Sequence, residues 1–211
     1  GHLTETDLSE HRGGALLDVG SGRGEFLHEF ALQGFSARGV DRDQPRDARF
    51  PEPVSVCDLE RDALPFESAS FDVVFNKSVL EHTRDVTHLL HECHRVLRPG
   101  GTLLSLVPDF NSQWSHFYDD WTHVRPFTLT GLRECLLCHD FVVEEARYFR
   151  QLPILWRHPY LRPLADVSAL APAALKRIKW VRFSKEWMLL AVAKKPEAMT
   201  GPRGSGKETT R

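Results

Sequence analysis

The sequence predicts an α/β fold, a doubly wound and mostly parallel sheet, and three observations predict it. A short apolar run closes on glycines and passes straight into a stretch of helical periodicity. Apolar runs without polar alternation recur along the chain. Strand-like and helix-like segments alternate, which implies parallel strands joined by right-handed crossovers. At 211 residues and 41% hydrophobic content, the chain is long enough for one substantial core and too short for two ordinary domains.

Ala15 to Val19 is the first strand, closed by Gly20, and between Arg23 and Gln33 the residues Phe26, Leu27, Phe30 and Ala31 recur at helical spacing. Phe35 to Val40 gives a second strand ending at Asp41, and Val54 to Cys57 a third ending at Asp58. Phe71 to Phe75 is continuous and β-rich, the mark of a central strand covered on both faces, and Asn76 ends it. Asp85 to Leu97 is the clearest helix: Val86, Leu89, Leu90, Cys93, Val96 and Leu97 form one apolar stripe before Arg98-Pro99-Gly100-Gly101 stops it. Thr102 to Val107 is the next strand, Thr128 to Cys138 a helix with Thr128 as its cap, and Phe141 to Tyr148 and Trp187 to Ala193 are late strands.

Two segments stand outside this alternation. Residues 108–126 form a long aromatic and acidic connection, and loops of that length at a sheet's carboxyl edge usually carry function, so they are expected to form an acceptor lid. Residues 150–184 are a basic insertion rich in proline and tryptophan, and the polar tail 195–211 is expected to be disordered. The domain is therefore set at 14–194.

Composition narrows the function. A formal net charge of -2 and a pI near 6.6 give no field that favours a polyanion, so nucleic acid is not an expected partner. Cys57, Cys93, Cys135 and Cys138 fall in core-like elements, as small buried hydrophobes of a reducing compartment do. Cys135 and Cys138 form a C-x-x-C without a second pair, which argues against zinc. No apolar run approaches the roughly 18 residues that span a bilayer, and no charged-then-apolar start is present, so a cytoplasmic location is expected. Gly201 to Lys207 spells most of a phosphate-binding loop, but Glu208 replaces the required hydroxyl and no strand precedes it.

The informative motif is Leu16-Leu17-Asp18-Val19-Gly20-Ser21-Gly22-Arg23-Gly24-Glu25-Phe26, where glycines let the backbone approach a ligand at a helix start. A dinucleotide fold wants G-x-G-x-x-G around a diphosphate. Here the third glycine comes one residue early and Glu25 takes its place, a poor neighbour for phosphate. Asp41 ends the second strand 21 residues after Gly20, where such sheets place an acid on ribose hydroxyls. An ordinary turn residue is the plainer alternative for Asp41, and a turn or cap residue for Asp58.

Leu17 to Phe26, Gly39-Val40-Asp41, Cys57-Asp58-Leu59, Leu64-Pro65-Phe66, Ser70 to Val74, Leu80-Glu81-His82 and Arg95 to Gly101 together resemble, in this order, the small-molecule class I S-adenosylmethionine-dependent methyltransferases of the type 11 kind. The resemblance covers roughly residues 14–148. It implies a Rossmann-like sheet of seven strands with the last antiparallel, S-adenosyl-L-methionine as cofactor and S-adenosyl-L-homocysteine as product. By that resemblance Asp18 and Gly20, Ser21, Gly22 and Gly24 border the methionine arm. Asp41, with Arg42 beside it, holds the ribose, while Asp58 and the Leu59 backbone meet the adenine. Asn76 sits near the methionine moiety or the reacting methyl, and Leu59, Phe66 and Val79 flank the ring.

A sulfonium methyl is already electrophilic, so alignment and desolvation dominate, with effective molarities reaching about 10⁵ M or more. A hydroxyl acceptor benefits from a base, and His82 and His123 are the candidates, although with 11 histidines in the chain a purely structural role competes for each. In the lid, Asn111, Tyr118, Asp120, His123 and Arg125 mix aromatics with carboxylate and amide groups, which suits a polyhydroxylated acceptor. The lid is similar to that of methyltransferases from polysaccharide and glycan gene clusters. Asp119, Asp120 and His123 lack a fourth ligand, so no metal is expected.

From Arg147 to Lys185 there are nine Lys or Arg against one acid, Asp166, interleaved with Trp156, Tyr160, Trp180 and Phe183. Such a stretch either touches an anionic membrane or lipid-linked acceptor, or forms a solvated cap packed on the domain. The rivals to a methyltransferase are a non-catalytic S-adenosylmethionine-binding or scaffold module, which binds without turnover, and a nicotinamide oxidoreductase, which the glycine spacing disfavours.

Overall fold

The computed structural model describes residues 8–44, 51–150, 158–168 and 186–197. After a 3₁₀ turn at Ser9–His11, strand β1 (Ala15–Val19) leads to helix α1 (Glu25–Leu32), then to strands β2 (Ser36–Asp41), β3 (Val54–Val56) and β4 (Phe71–Lys77). Helix α2 (Val86–Val96), strand β5 (Leu97–Pro108), a short helix α3 (Phe110–Gln113) and a 3₁₀ turn at Phe117–Asp119 follow. Helix α4 (Leu129–Leu137), strand β6 (Val142–Arg150), a 3₁₀ turn at Pro159–Leu161, helix α5 (Arg162–Ser168) and strand β7 (Trp187–Lys194) complete the order.

Among the described residues the strands form one seven-stranded sheet, β3-β2-β1-β4-β5-β7-β6, in which only β7 runs antiparallel to its neighbours. The expected strand count and antiparallel last strand are both present. The chain winds outward from β1 to β3 and then crosses back to β4, so the order reverses between β1 and β4. A crevice at such a switch point, outside the carboxyl ends of the strands, is where open sheets of this kind bind ligands.

Alternation along each strand feeds two cores. Leu17, Val19, Val74 and Leu103 join Leu89 and Leu90 of α2 and Leu132 and Leu136 of α4 on one face. Leu16, Val73, Phe75 and Leu104 join Phe30 of α1, with Phe35, Phe149 and Met188, on the other. Period-two side-chain direction produces this sorting, and it explains why the central runs read as continuously apolar. The same parity puts Asp18 with Leu16 and Lys77 with Phe75 on the α1 face, where the Lys77 ammonium lies 4.9 Å from the Phe26 ring centre.

Several boundaries differ from the sequence reading. α1 starts at Glu25 rather than Arg23, because Gly22 and Gly24 take positive φ of 55° and 83° and keep the turn out of helical geometry. β4 continues through Lys77, so Asn76 lies inside the sheet rather than at its end. β5 begins directly at Leu97, and its pairing with β4 jumps from Leu97 to Thr102, leaving Arg98 to Gly101 as a bulge at the proline and glycines. Cys57 and Cys93 are buried, but Cys138 is exposed where α4 ends, so the C-x-x-C is not a core feature.

The 108–126 connection is tied at its neck. Asp109 bridges Phe127, the Phe110 amide donates to the Phe127 carbonyl at 2.9 Å, and the Asp109 amide donates to Trp187 at 3.0 Å. Buried Phe117 anchors its interior, packed edge-on against Phe110. Most of the basic segment 150–184 lies outside the described residues, as do 198–211 of the tail expected to be disordered from 195; its first residue, Lys195, is instead ordered against β5, its amide donating to the Gly101 carbonyl at 2.9 Å. The described part of the basic segment is held at the sheet: the Arg150 guanidinium lies 4.0 Å over the Trp187 ring and pairs with Asp166 of α5 at 2.7 Å. Lys195 donates to the His94 and Leu97 carbonyls and so caps the end of α2. No helix among the described residues is long and apolar enough to cross a membrane.

Candidate active site

The register of the sheet brings four strand ends into one row. Asp41 pairs with Val56, Val19 with Val40, and Val19 with Asn76, so the ends of β3, β2 and β1 stand beside Asn76, the next-to-last residue of β4. At roughly 4.8 Å per strand spacing, this edge runs about 14 Å from the Asp58 turn to Asn76.

The glycine loop folds back across this edge. The Gly20 and Ser21 amides both donate to the Val40 carbonyl, at 2.8 and 3.2 Å, and the Gly22 amide donates to Asp41 Oδ2 at 2.7 Å. Gly20 takes φ +73°, and a Cβ built on it would sit 2.3 Å from Val79 Cγ2. Only glycine fits there. No side chain caps the start of α1, so the amides of its first turn are left to solvent or to a ligand.

Burial sets the electrostatics. Asp18 is 2% exposed, and burial, with the Asp41 charge adding to it, pushes its carboxyl up to about 7. Lys77 is pulled below the usual ammonium range by burial, against the attraction of Glu81, Glu25 and Asp18. Asn76 is fully buried; its amide donates to Ser105 Oγ at 2.8 Å, while its Oδ1 has no protein partner. Asp58 accepts from the Glu60 amide at 3.0 Å, the turn geometry that was its plainer reading, and Leu59 and Phe66 pack against the same core cluster as Val79.

The loop after β4 joins this edge to the 108–126 connection, the expected lid. Ser78 takes φ +54°, Val79 lies on Gly20, and the Glu81 carbonyl accepts from the Val124 and Arg125 amides at 2.8 and 3.1 Å. His82 and His123, 41 positions apart, face each other with ring centres 4.6 Å apart. His82 Nδ1 bonds Thr122 Oγ1 at 2.8 Å and His123 Nδ1 donates to the Phe117 carbonyl at 2.7 Å. Burial, and the neighbouring His123, hold the His82 imidazole below its ordinary range. Glu81 is fully buried and neither carboxylate oxygen has a hydrogen-bond partner. Burial pushes its carboxyl up to about 7, while its own amide, the Ser78 hydroxyl and Lys77 draw it part of the way back.

The structure therefore gathers Asp18, Gly20, Ser21, Gly22, Gly24, Asp41, Asp58, Leu59 and Asn76 along one edge and sets His82 beside His123. Arg42 is apart: its side chain is exposed and its nearest partner is Asp43 at 3.9 Å. In the lid Asn111, Tyr118, Asp120 and Arg125 are all exposed, and Arg125 donates to the Arg84 carbonyl at 3.1 Å, fastening the lid to the β4 loop. Sequence reasoning missed Lys77, Glu81, Ser105 and Thr122. Glu81 lies within the Leu80-Glu81-His82 motif, but nothing in a sequence marks a glutamate as buried.

Residues 17–105 match the methyltransferase domain family. The chain is 33% identical over 158 residues to the ubiquinone/menaquinone biosynthesis C-methyltransferase of Hahella chejuensis, covering 69% of this chain and 62% of that protein. It spans from 25% to 62% of the lengths of four curated relatives that it matches. It shares its fold with an S-adenosylmethionine-dependent methyltransferase from Mesorhizobium loti, at a TM-score of 0.66 and 16% identity over 92% of this chain and 98% of that one. It also shares it with the Burkholderia thailandensis 1,6-didemethyltoxoflavin-N1-methyltransferase, solved with S-adenosylhomocysteine, at 0.63 and 20% identity over 93% of this chain and 77% of that one.

Proposed function

Since the chain carries a class I S-adenosylmethionine-dependent methyltransferase domain, we propose that it transfers a methyl group to a hydroxyl of a saccharide or glycan intermediate. The observation that carries the methyl-transfer reading is the row of four strand ends, about 14 Å long, with a glycine loop folded over its centre. An elongated nucleoside with an amino-acid arm fits this row. The adenine belongs at the Asp58 turn, the ribose at Asp41, and the arm over Gly20 to Gly24, where a side chain on Gly20 would collide with Val79. The buried and unpartnered Asn76 Oδ1 and Ser21 Oγ offer it polar partners. When bound, the cofactor supplies an electrophilic methyl on sulfur.

The protein's own share is to bind, orient and exclude water. The lid, hydrogen-bonded through Val124 and Arg125 to the loop that touches the glycine turn, closes the edge from the side of β4. His82 and His123 offer nitrogen lone pairs at that junction, the kind of group that takes a proton from an attacking hydroxyl. Trp114, Tyr118 and Trp121 of the lid are 69%, 58% and 85% exposed, and Asn111, Asp119 and Asp120 of the same segment are exposed as well. Rings that lie open next to carboxylates suit the apolar face and the hydroxyls of a sugar.

Two measurements test this reading. Asp41→Ala is expected to weaken S-adenosylhomocysteine binding by about 10- to 100-fold, roughly 1.5 to 3 kcal/mol, the range for a charged hydrogen bond; unchanged affinity by calorimetry would remove Asp41 from the ribose. Incubation with labelled S-adenosylmethionine and panels of glycans, quinols and acyl carriers identifies the acceptor by mass spectrometry. Methylation confined to quinols or acyl carriers ends the saccharide reading, and tight binding without turnover on any acceptor marks a non-catalytic module. On a sugar acceptor, Trp121→Ala is expected to raise KM about tenfold with the melting temperature unchanged, because so exposed a ring adds stacking and little core.

A further inference from the structure

At the junction of the lid with the β4 loop, one oxygen of Glu81 and one nitrogen each of His82 and His123 lie within 4.8 Å of one another. The hydrogen bonds around the two rings fix their protons. Thr122 Oγ1 has a single proton and gives it to Asp120 Oδ1 at 2.6 Å, so in its bond with His82 the hydroxyl accepts and Nδ1 donates. The Phe117 carbonyl only accepts, so His123 Nδ1 also carries a proton. The lone pair of each ring in its uncharged form is therefore on Nε2, which in His123 lies 4.0 Å from Asp120 Oδ2. The third member, Glu81, is fully buried with both oxygens unpartnered. The cluster is rich in acceptors, an arrangement that is costly in a buried place unless a proton on Glu81 or a bound cation satisfies it.

From this cluster we infer that Glu81, His82 and His123 form a binding site for a divalent transition ion of the zinc or cobalt class, with a position open to an oxygen ligand. Two imidazoles and one carboxylate are the ligand set such ions take. Around an ion held at ~2.0 to 2.2 Å the ligand atoms stand roughly 3.3 to 3.6 Å apart, so a cluster whose atoms lie within 4.8 Å of one another needs to contract by up to about 1.5 Å. The outer partners are those that orient metal-bound histidines: a backbone carbonyl on His123, and on His82 a hydroxyl that is itself held by a carboxylate. His82 and Glu81 come from the β4 loop and His123 from the lid, so an ion there pins the lid shut, and an acceptor oxygen is its natural fourth ligand. The ion and the proton-accepting role of the histidines draw on the same lone pairs; with the ion bound, the rings serve as ligands.

The test is titration of the full chain, stripped of metal, with cobalt(II) alone. One equivalent is expected to bind with visible ligand-field bands and without the near-ultraviolet absorption of thiolate coordination, which would point to Cys135 and Cys138 instead. His82→Gln and His123→Gln are each expected to weaken binding by at least about 100-fold, and Thr122→Val by about tenfold, as loss of an outer partner does. Zinc is expected to displace the cobalt. No saturable binding, thiolate bands, or binding undiminished in both histidine variants overturns the site. Glu81→Gln adds the third ligand where it folds, and the histidine variants decide the matter where it does not. S-adenosylhomocysteine affinity of the metal-free chain reads the methyltransferase assignment separately, so the two can fail independently.

Discussion

Replacing Gly20 by alanine is expected to lower the stability of the domain by about 2 to 4 kcal/mol and to reduce S-adenosylhomocysteine affinity more than 100-fold. Two costs combine. The residue sits at φ +73°, where an L side chain is strained, and its Cβ would lie 2.3 Å from Val79 Cγ2. Val79 is β-branched and buried, so it cannot swing aside as a long flexible chain would. Relief requires the β4 loop to move, and that loop also carries His82 and the hydrogen bonds to the lid. Gly22 is the internal control: it has φ +55° but nothing within 4 Å of its would-be Cβ, so Gly22→Ala is expected to cost only about 1 kcal/mol. Chemical denaturation and calorimetry of both variants check this; equal losses would show that strain alone, and not contact with Val79, sets the requirement.

The second large effect is a trade between stability and binding at Asp18. Its carboxyl, ordinarily near 3.8, is raised to about 7 by burial and by the Asp41 charge, with Lys77 pulling the other way. Below both values the folded and unfolded chains are each protonated there and the residue adds no penalty. As pH rises from 4 through 7 the unfolded chain loses its proton while the folded one keeps it, so stability falls, by up to about 4 kcal/mol once the folded group has also ionised. Asp18→Asn removes that ionisation. The variant is expected to be about 2 to 4 kcal/mol more stable than the parent at pH 8, with no such advantage at pH 4. It is also expected to bind the cationic cofactor more weakly, and to lose the rise in affinity that the parent shows as Asp18 ionises. Urea denaturation at the two pH values decides the first part. A variant no more stable at pH 8 would mean that water or a donor already reaches the carboxylate.

The elements that sequence alone revealed share a physical feature: their signals are local. Glycine after a β-rich run, an apolar stripe at helical spacing over Val86 to Val96, and an acid at a strand end each follow from one stretch of backbone and its neighbours in the chain. The antiparallel seventh strand came instead from the resemblance of several such motifs in order. Where local geometry was finer than the pattern, the reading slipped by a residue or two. The positive φ angles at Gly22 and Gly24 delayed α1, and the bulge at Arg98 to Gly101 merged the end of α2 with the start of β5.

The sequence by itself thus determined the doubly wound sheet, the glycine turn and the acids that border it, because each is written in residues adjacent in the chain or repeated with the period of a strand or helix. Tertiary structure alone decided that Glu81 is buried without a partner, that His82 meets His123 across 41 positions, and that Lys77 and Asp18 share a face while Arg42 turns to solvent. Those facts depend on which segments a fold brings together and how far each excludes water. Burial and proximity belong to the folded arrangement, and a carboxylate or imidazole carries no mark in the sequence of the medium it will meet.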